Sequence, residues 1–207
     1  LAITWSSVLV AAVLSFPVAA SAADEAAKPA VADNATCTDK CHQDVKFSSP
    51  AHPDTKCAEC HTNITQTPHD NLPEEQKLTA DQVCAGCHGM AQKQLLKSVH
   101  AKKSCKTCHG KPHEVGVASD ADSRLSSTGQ VETCAKCHDE VIEGFKTSVH
   151  GEGLLKSGLT EAAPSCSDCH GTHGIQKHGD EKSKVSHANS PETCGKCHET
   201  VLKHWKD

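Results

Sequence analysis

Six stretches of this chain share one pattern of nucleophiles and ligands: Cys57, Cys60 and His61; Cys84, Cys87 and His88; Cys105, Cys108 and His109; Cys134, Cys137 and His138; Cys166, Cys169 and His170; Cys194, Cys197 and His198. Each reads Cys-x-x-Cys-His. A seventh, Cys37, Cys41 and His42, has one extra residue between its cysteines. Together they take all 14 cysteines of the 207-residue chain. Side chains three apart share a face of a helical turn. Two such thiols can add across the two vinyl groups of one porphyrin edge, and the adjacent His then meets the iron as proximal ligand. The pattern points to c-type haem, seven per chain. At the first site the cysteines are four apart and still share a face, but Cys37 is out of register with His42 by one residue. A distorted haem or a single thioether is expected there.

Other chemistries of paired cysteines fit less well. Tetrahedral zinc takes two pairs per site, so seven pairs do not divide evenly, and zinc needs no His after every second Cys. Iron–sulfur ligation and a disulfide framework also leave those histidines unexplained.

A second set of histidines bears on function. Beyond the seven proximal residues there are His52, His69, His100, His113, His150, His173, His178, His187 and His204. His52, His100 and His150 recur after a short helix-compatible run. His113 and His173 follow their motifs closely, and His69 and His204 complete a set of seven distal candidates. His178 and His187 lie in the most polar linker and are set aside. Met90 is the single methionine, so Met ligation has at most one place. Iron held by imidazole on both sides has no open position for substrate. Without a thioether ligand its potential is low. That describes an electron carrier, not a catalyst.

The elements that must position these groups follow from the repeat. Motifs beginning at Cys37, Cys84 and Cys134 each open a two-haem module, 37–83, 84–133 and 134–193, and 194–207 is a single-haem half. Within 37–207, short helices start at the motifs; Val141, Ile142 and Phe145 show helical spacing. The linkers are polar and turn-rich. The expected fold is mainly α with little regular structure, its short helices and loops wrapped around a stacked array of covalent haems, with no significant sheet.

Composition agrees. Aromatics are 2 %, there is no Tyr, and hydrophobic residues total 36 %. Such a chain buries too little to offset its conformational entropy unaided, so the cofactor is the core and the apo-chain is expected to be largely unfolded. Residues 1–22 form an uncharged apolar run ending in Ala20-Ser21-Ala22, which reads as a secretory signal peptide. A flexible leader over 23–36 follows. Export to a periplasmic or extracellular location is expected. The formal charge of −5 gives no sign of nucleic-acid binding, and membrane contact is expected only through partners. Lys93, Lys97, Lys102, Lys103, Lys106 and Lys111 cluster without an acid between them; we read them first as balancing haem propionates, then as a docking face. Asn34-Ala35-Thr36 and Asn63-Ile64-Thr65 match a glycosylation sequon by chance in such a protein.

The seven motifs, the Ser-Val-His segments ending at His100 and His150, and Cys169-His170-Gly171-Thr172-His173 resemble those of bacterial multihaem c-type cytochromes. These include cytochrome c3/c7-like carriers, the pentahaem donor to nitrite reductase and periplasmic decahaem electron carriers. The resemblance covers 37–204. It implies haems stacked parallel and T-shaped in alternation, forming a wire. The function it implies is electron transfer from a quinol-oxidising membrane complex or another cytochrome to a terminal reductase or extracellular acceptor. Two alternatives stand: a reductase of nitrite, hydroxylamine or a sulfur oxyanion with one open haem, and a subunit of an extracellular filament, so an oligomer is allowed. Related nitrite reductases use a Cys-x-x-Cys-Lys site, and none occurs here.

Overall fold

A computed structural model describes residues 33–66, 69 and 71–207. The segment read as a signal peptide, 1–22, and the leader residues 23–32 lie outside the described residues. Among the described residues there are only helices, turns and loops, with no strand. No helix there is long and apolar enough to cross a membrane.

The helices are α1 (Asn34–Thr38), α2 (Cys57–Cys60), α3 (Ala80–Leu95), α4 (Cys105–His109), α5 (Ser127–Ala135), α6 (Asp139–Lys146), α7 (Val149–Leu155), α8 (Cys166–His170), α9 (Ser190–Gly195) and α10 (Glu199–Lys206). The end of the stretch read as leader is already helical: Asp33 accepts from the Thr36 N–H at 2.8 Å and starts α1. That is ordinary N-capping by a short acid.

Two kinds of attachment turn alternate. In the odd-numbered motifs from Cys84 onward, the cysteines lead into a bend at the histidine, and helix resumes beyond it. His88 has φ −99° and ψ 36°, His138 has −121° and 43°, and His198 has −101° and 53°. In the motifs at Cys105 and Cys166 the helix is a single turn. It stops at Gly110 (φ 82°) and Gly171 (φ 85°), a backbone conformation that favours glycine.

The linkers fold into a repeated corner built on buried serines. Ser123 and Ser183 are both buried. Each donates its N–H at 2.9 Å to an aspartate carbonyl three residues back, Asp120 and Asp180. Thr133 Oγ then donates to the Arg124 carbonyl at 3.2 Å, and Thr193 Oγ to that of Lys184 at 2.7 Å. Hydroxyls that bond local backbone let a polar segment be buried with its groups satisfied.

The apolar core is very small. Val131, Ile142 and Leu154 are its buried members, with Phe145 and Ala163 packed against them. Fully burying such a side chain stabilises by about 1.5–3 kcal/mol, while ordering each residue costs about 1–2 kcal/mol. Three side chains cannot hold a chain of this length. Meanwhile Val141 is 66 % and Trp205 68 % exposed on helices that directly follow attachment motifs. Both observations fit a chain whose core is completed by its cofactors. Chain secreted without haem attachment is expected to show a coil-like far-UV circular dichroism spectrum and no cooperative melt, whereas the haem-loaded chain should melt cooperatively. In the loaded protein, Leu154→Ala is expected to cost about 2–5 kcal/mol by denaturant titration.

Candidate metal centres

Each module draws its two attachment turns together with one polar side chain just upstream of its first motif. Asn34 Oδ1 accepts the Cys57 N–H at 2.8 Å. Asp81 Oδ1 accepts the Cys105 N–H at 2.8 Å and the Ser104 hydroxyl at 2.7 Å. Gln130 Oε1 accepts the Ser167 N–H at 3.1 Å. In each case a residue three or four positions before the first motif caps the helix of the second. An unsatisfied N-terminal N–H is what such a helix offers, and an oxygen from the stretch just before the module meets it.

The thiols are left in a single file. Burial first, and then the Cys37 thiol, push Cys57 up. Cys60 is raised by burial and by Cys84 and Cys87. Cys105 is pushed up to about 11 by burial, Asp81 and Cys84. Cys108 is raised by burial and by Cys134 and Cys137. Cys134 hydrogen-bonds Cys166 and is pushed up by it. Cys169 is raised by burial and by Cys194 and Cys197. The attachment edges thus follow one another in sequence order. First cysteines meet within a module, and the second cysteine of an even motif meets both cysteines of the next.

The histidines form cross-chain pairs. Ring centroids lie 5.9 Å apart for His42 and His69, 6.1 Å for His52 and His88, and 6.1 Å for His61 and His113. They lie 6.1 Å apart for His100 and His138, 5.9 Å for His109 and His173, and 6.0 Å for His150 and His198. The interplanar angles of the same pairs run from 8° to 68°. Rings in direct contact couple distance to angle; here the distance holds while the angle varies. Two imidazole nitrogens about 2 Å from one metal, on opposite sides, place their centroids about 6 Å apart whatever the ring rotation.

The pairing has a register. His52, His100 and His150 each reach forward to the first motif of the next module. His113 and His173 each reach back to the second motif of the module before. Backbone ties repeat with it: Ala51 N–H donates to the Val115 carbonyl at 3.1 Å, and Val99 N–H to that of Ile175 at 2.9 Å. Phe47 packs edge-on to His113 at 5.9 Å. Burial lowers His61, His109 and His170, and neighbouring imidazoles lower them further: His113 and His42 for the first, His173 and His88 for the second, His138 for the third.

The irregular first motif is accommodated locally. His61, His138 and His198 donate their N–H to the first cysteine's carbonyl four residues back; His42 does so to Cys37 across five, at 3.0 Å. The wider turn absorbs the extra residue, and His42 keeps its partner at the common distance. His178, His187 and His204 make no ring pair with another His among the described residues.

The residues fit a large, partly anionic, apolar group. Arg124 lies against Gly110 and donates to the Thr107 carbonyl at 3.3 Å, yet its buried Nε has no hydrogen-bond partner. Such a group needs an acceptor, and a propionate-bearing cofactor brings one. Cys194, His198, Val201, Leu202 and Trp205 line a cleft beside the last motif. Among the described residues no three His, Cys, Asp or Glu side chains gather as a closed metal site would require. The capping residues and Arg124 were not singled out from sequence; the upstream positions of Asn34, Asp81 and Gln130 were the available signal. Both sequon asparagines have structural roles instead, Asn34 as above and Asn63 in donating to the Gln76 carbonyl at 2.8 Å.

Residues 45–110 match the family described as cytochrome c7 and related cytochrome c. The chain is 30 % identical over 156 residues to the multihaem cytochrome MtrA of Shewanella baltica (strain OS185), covering 69 % of this chain and 42 % of that protein. It thus spans less than half the length of this relative. No solved structure matches.

The capping aspartate gives a stability test. Hydrogen bonds from Ser104 and Cys105, with Lys106 nearby, hold the Asp81 carboxyl below the usual carboxylate range. A depressed folded-state value means stability present above the ordinary aspartate range, near 4, and lost as pH falls through the lowered value. Asp81→Ala is expected to cost about 1–2 kcal/mol at neutral pH, with the difference from wild type shrinking in acid. Equilibrium unfolding of the haem-loaded protein at several pH values checks this, and a pH-independent difference would count against it.

Proposed function

We propose that this chain, similar to cytochrome c7 and related cytochrome c over residues 45–110 and to MtrA over 156 residues, is an exported seven-haem electron carrier with irons gripped between paired histidines. Carriers are the usual members of such families. The observation that carries the proposal is the set of six histidine pairs at 5.9 to 6.1 Å.

Bound c-type haem supplies one-electron chemistry between ferric and ferrous iron. The rest is the work of this chain's residues. Cys37 and Cys41, Cys57 and Cys60, Cys84 and Cys87, Cys105 and Cys108, Cys134 and Cys137, Cys166 and Cys169, and Cys194 and Cys197 hold the macrocycles. His42, His61, His88, His109, His138, His170 and His198 ligate from one side. His69, His113, His52, His173, His100 and His150 face six of them from the other: His42, His61, His88, His109, His138 and His198 respectively. Imidazole on both sides excludes substrate and, without a thioether, favours low potential. Met90 is 77 % exposed and offers no competing ligand.

The proximity of the thiols supports one file of sites running in sequence order, along which electrons pass. The modules 37–83, 84–133 and 134–193 are the units of that file, with 194–207 a further half. The donor is a quinol-oxidising membrane complex or another cytochrome, and the acceptor a terminal reductase or an extracellular one. A periplasmic or extracellular location follows from the export reading of 1–22. Lys93, Lys97, Lys102, Lys103 and Lys106 are exposed and Lys111 is paired with Glu114 at 3.1 Å; the cluster is read first as balancing haem propionates and second as docking an acidic partner by steering.

The intact mass of the purified protein should show seven haems. His52→Ala should add one high-spin iron per chain in the electron paramagnetic resonance spectrum of the oxidised protein. That added iron should vanish when Cys84 and Cys87 are also replaced by Ser, because His52 faces His88 and not its own module's histidines. An unchanged spin count in His52→Ala would refute the paired-ligand reading.

A further inference from the structure

Ser49 is buried, with 3 % of its surface exposed. Its hydroxyl donates to the Val115 carbonyl at 2.8 Å and stands 3.2 Å from Nδ1 of His52. A hydroxyl has one proton. With that proton given to Val115, Ser49 can only accept from His52, so the ring carries its own proton on Nδ1. The lone pair is then on Nε2, the nitrogen left for a metal. His88 stands opposite the same ring, centroid to centroid, at 6.1 Å.

The contact belongs to a larger tie. Residues 47–51 run against 113–115. Ser48 donates its N–H to the His113 carbonyl at 2.9 Å, and Ala51 to that of Val115 at 3.1 Å. Phe47 packs on the His113 ring. The next repeat of the tie lacks the hydroxyl. There Val99, just before His100, donates to the Ile175 carbonyl at 2.9 Å, as Ala51, just before His52, does to Val115. Position 49 then corresponds to Lys97, whose carbonyl accepts from Gln176 Nε2 at 2.9 Å. The serines of the two Ser-Val-His segments spend their hydroxyls on backbone. Ser98 donates to the Leu95 carbonyl at 2.8 Å and accepts the His100 N–H at 3.0 Å. Ser148 donates to the Phe145 carbonyl at 2.7 Å and accepts the Gly151 N–H at 3.1 Å. Of these three recurrent histidines, His52 is the one whose ring nitrogen meets a serine hydroxyl among the described residues.

We propose that Ser49 is a positioning residue: it fixes the tautomer of His52 and strengthens that imidazole as a donor, lowering the potential of the site at Cys84, Cys87 and His88. An imidazole that shares its outer proton with an acceptor is a more basic ligand, and a more basic ligand favours ferric over ferrous iron. Hydrogen bonding behind an axial ligand is one of the means by which a protein sets a haem potential. The inference rests on the paired-histidine reading above.

Equilibrium redox titration of the full haem-loaded chain tests this. Ser49→Ala should keep the wild-type haem and spin counts and raise the midpoint potential of one haem. The expected rise is about two- to tenfold in its reduction equilibrium constant, tenfold being about 59 mV for one electron. Ser49→Thr, which keeps the hydroxyl, should titrate as wild type. In a His52→Ala background, the further change Ser49→Ala should move no haem. A Ser49→Ala protein that loses stability but titrates as wild type would make the hydroxyl merely structural and overturn this inference alone. So would a shift that persists in His52→Ala. If Ser49→Ala does not load haem, proton magnetic resonance of the wild type decides. The imidazole N–H signal that is lost in His52→Ala should persist in deuterium oxide, and its rapid exchange would overturn the proposal. A His52→Ala protein with no added high-spin iron would refute the paired-ligand reading and this one with it.

Discussion

The constraint that recurs through the structure is that two imidazoles from distant parts of the chain stand with ring centroids about 6 Å apart. The distance between them holds near 6 Å while ring angles range from 8° to 68°. A packing contact would fix the angle; a shared ligand fixes the distance and leaves rotation free. The other repeated features serve this condition. The bends at His88, His138 and His198 turn each ring out of its helix and let a second helix start. The positive-φ glycines at 110 and 171 stop a single-turn helix immediately after the histidine.

Ligation across modules, as proposed above, would also account for how so little core suffices. A helix of four or five residues is unstable alone, because nucleation fixes several residues for one hydrogen bond. α2, α4 and α8 are all of that length. Capping from Asn34, Asp81 and Gln130 contributes about 0.5–2 kcal/mol each, enough to choose a geometry but not to order the chain. A metal that binds the folded arrangement and not the coil converts its binding energy into folding energy. The caps and buried serine corners then have a narrower task, which is to keep two attachment edges side by side.

What was legible in the sequence follows the same division. The attachment motifs were readable because covalent chemistry demands fixed spacing, and His52, His100 and His150 because they recur after each first motif. The absence of strand among the described residues was expected from the short helices at the motifs and the polar, turn-rich linkers between them. The partnership of His52 with His88, or of His61 with His113, was not readable, because it joins residues of different modules and spacing records only local order. Asn34 read as leader and Asp81 and Gln130 as linker, since a cap delivered to a distant helix has no local signature. Ser123 and Ser183 looked like loop for the same reason. The extra residue in the first motif is held in a turn widened by one residue whose terminal hydrogen bond survives, from the His42 N–H to the Cys37 carbonyl.

The forward and backward reach of the histidines gives the molecule its character as a one-dimensional array. Every module beyond the first both lends an imidazole to its predecessor and borrows one, so each contacts its neighbours alone, as in repeat proteins whose stability sums unit and interface terms. The first module departs from the common pattern twice, in its widened attachment turn and in His69, which stands opposite a histidine of its own module rather than one in the module before. Both departures concern His42: its turn widens by one residue, and a partner from within the module still stands at the common distance, so the extra residue is taken up without loss of the pairing.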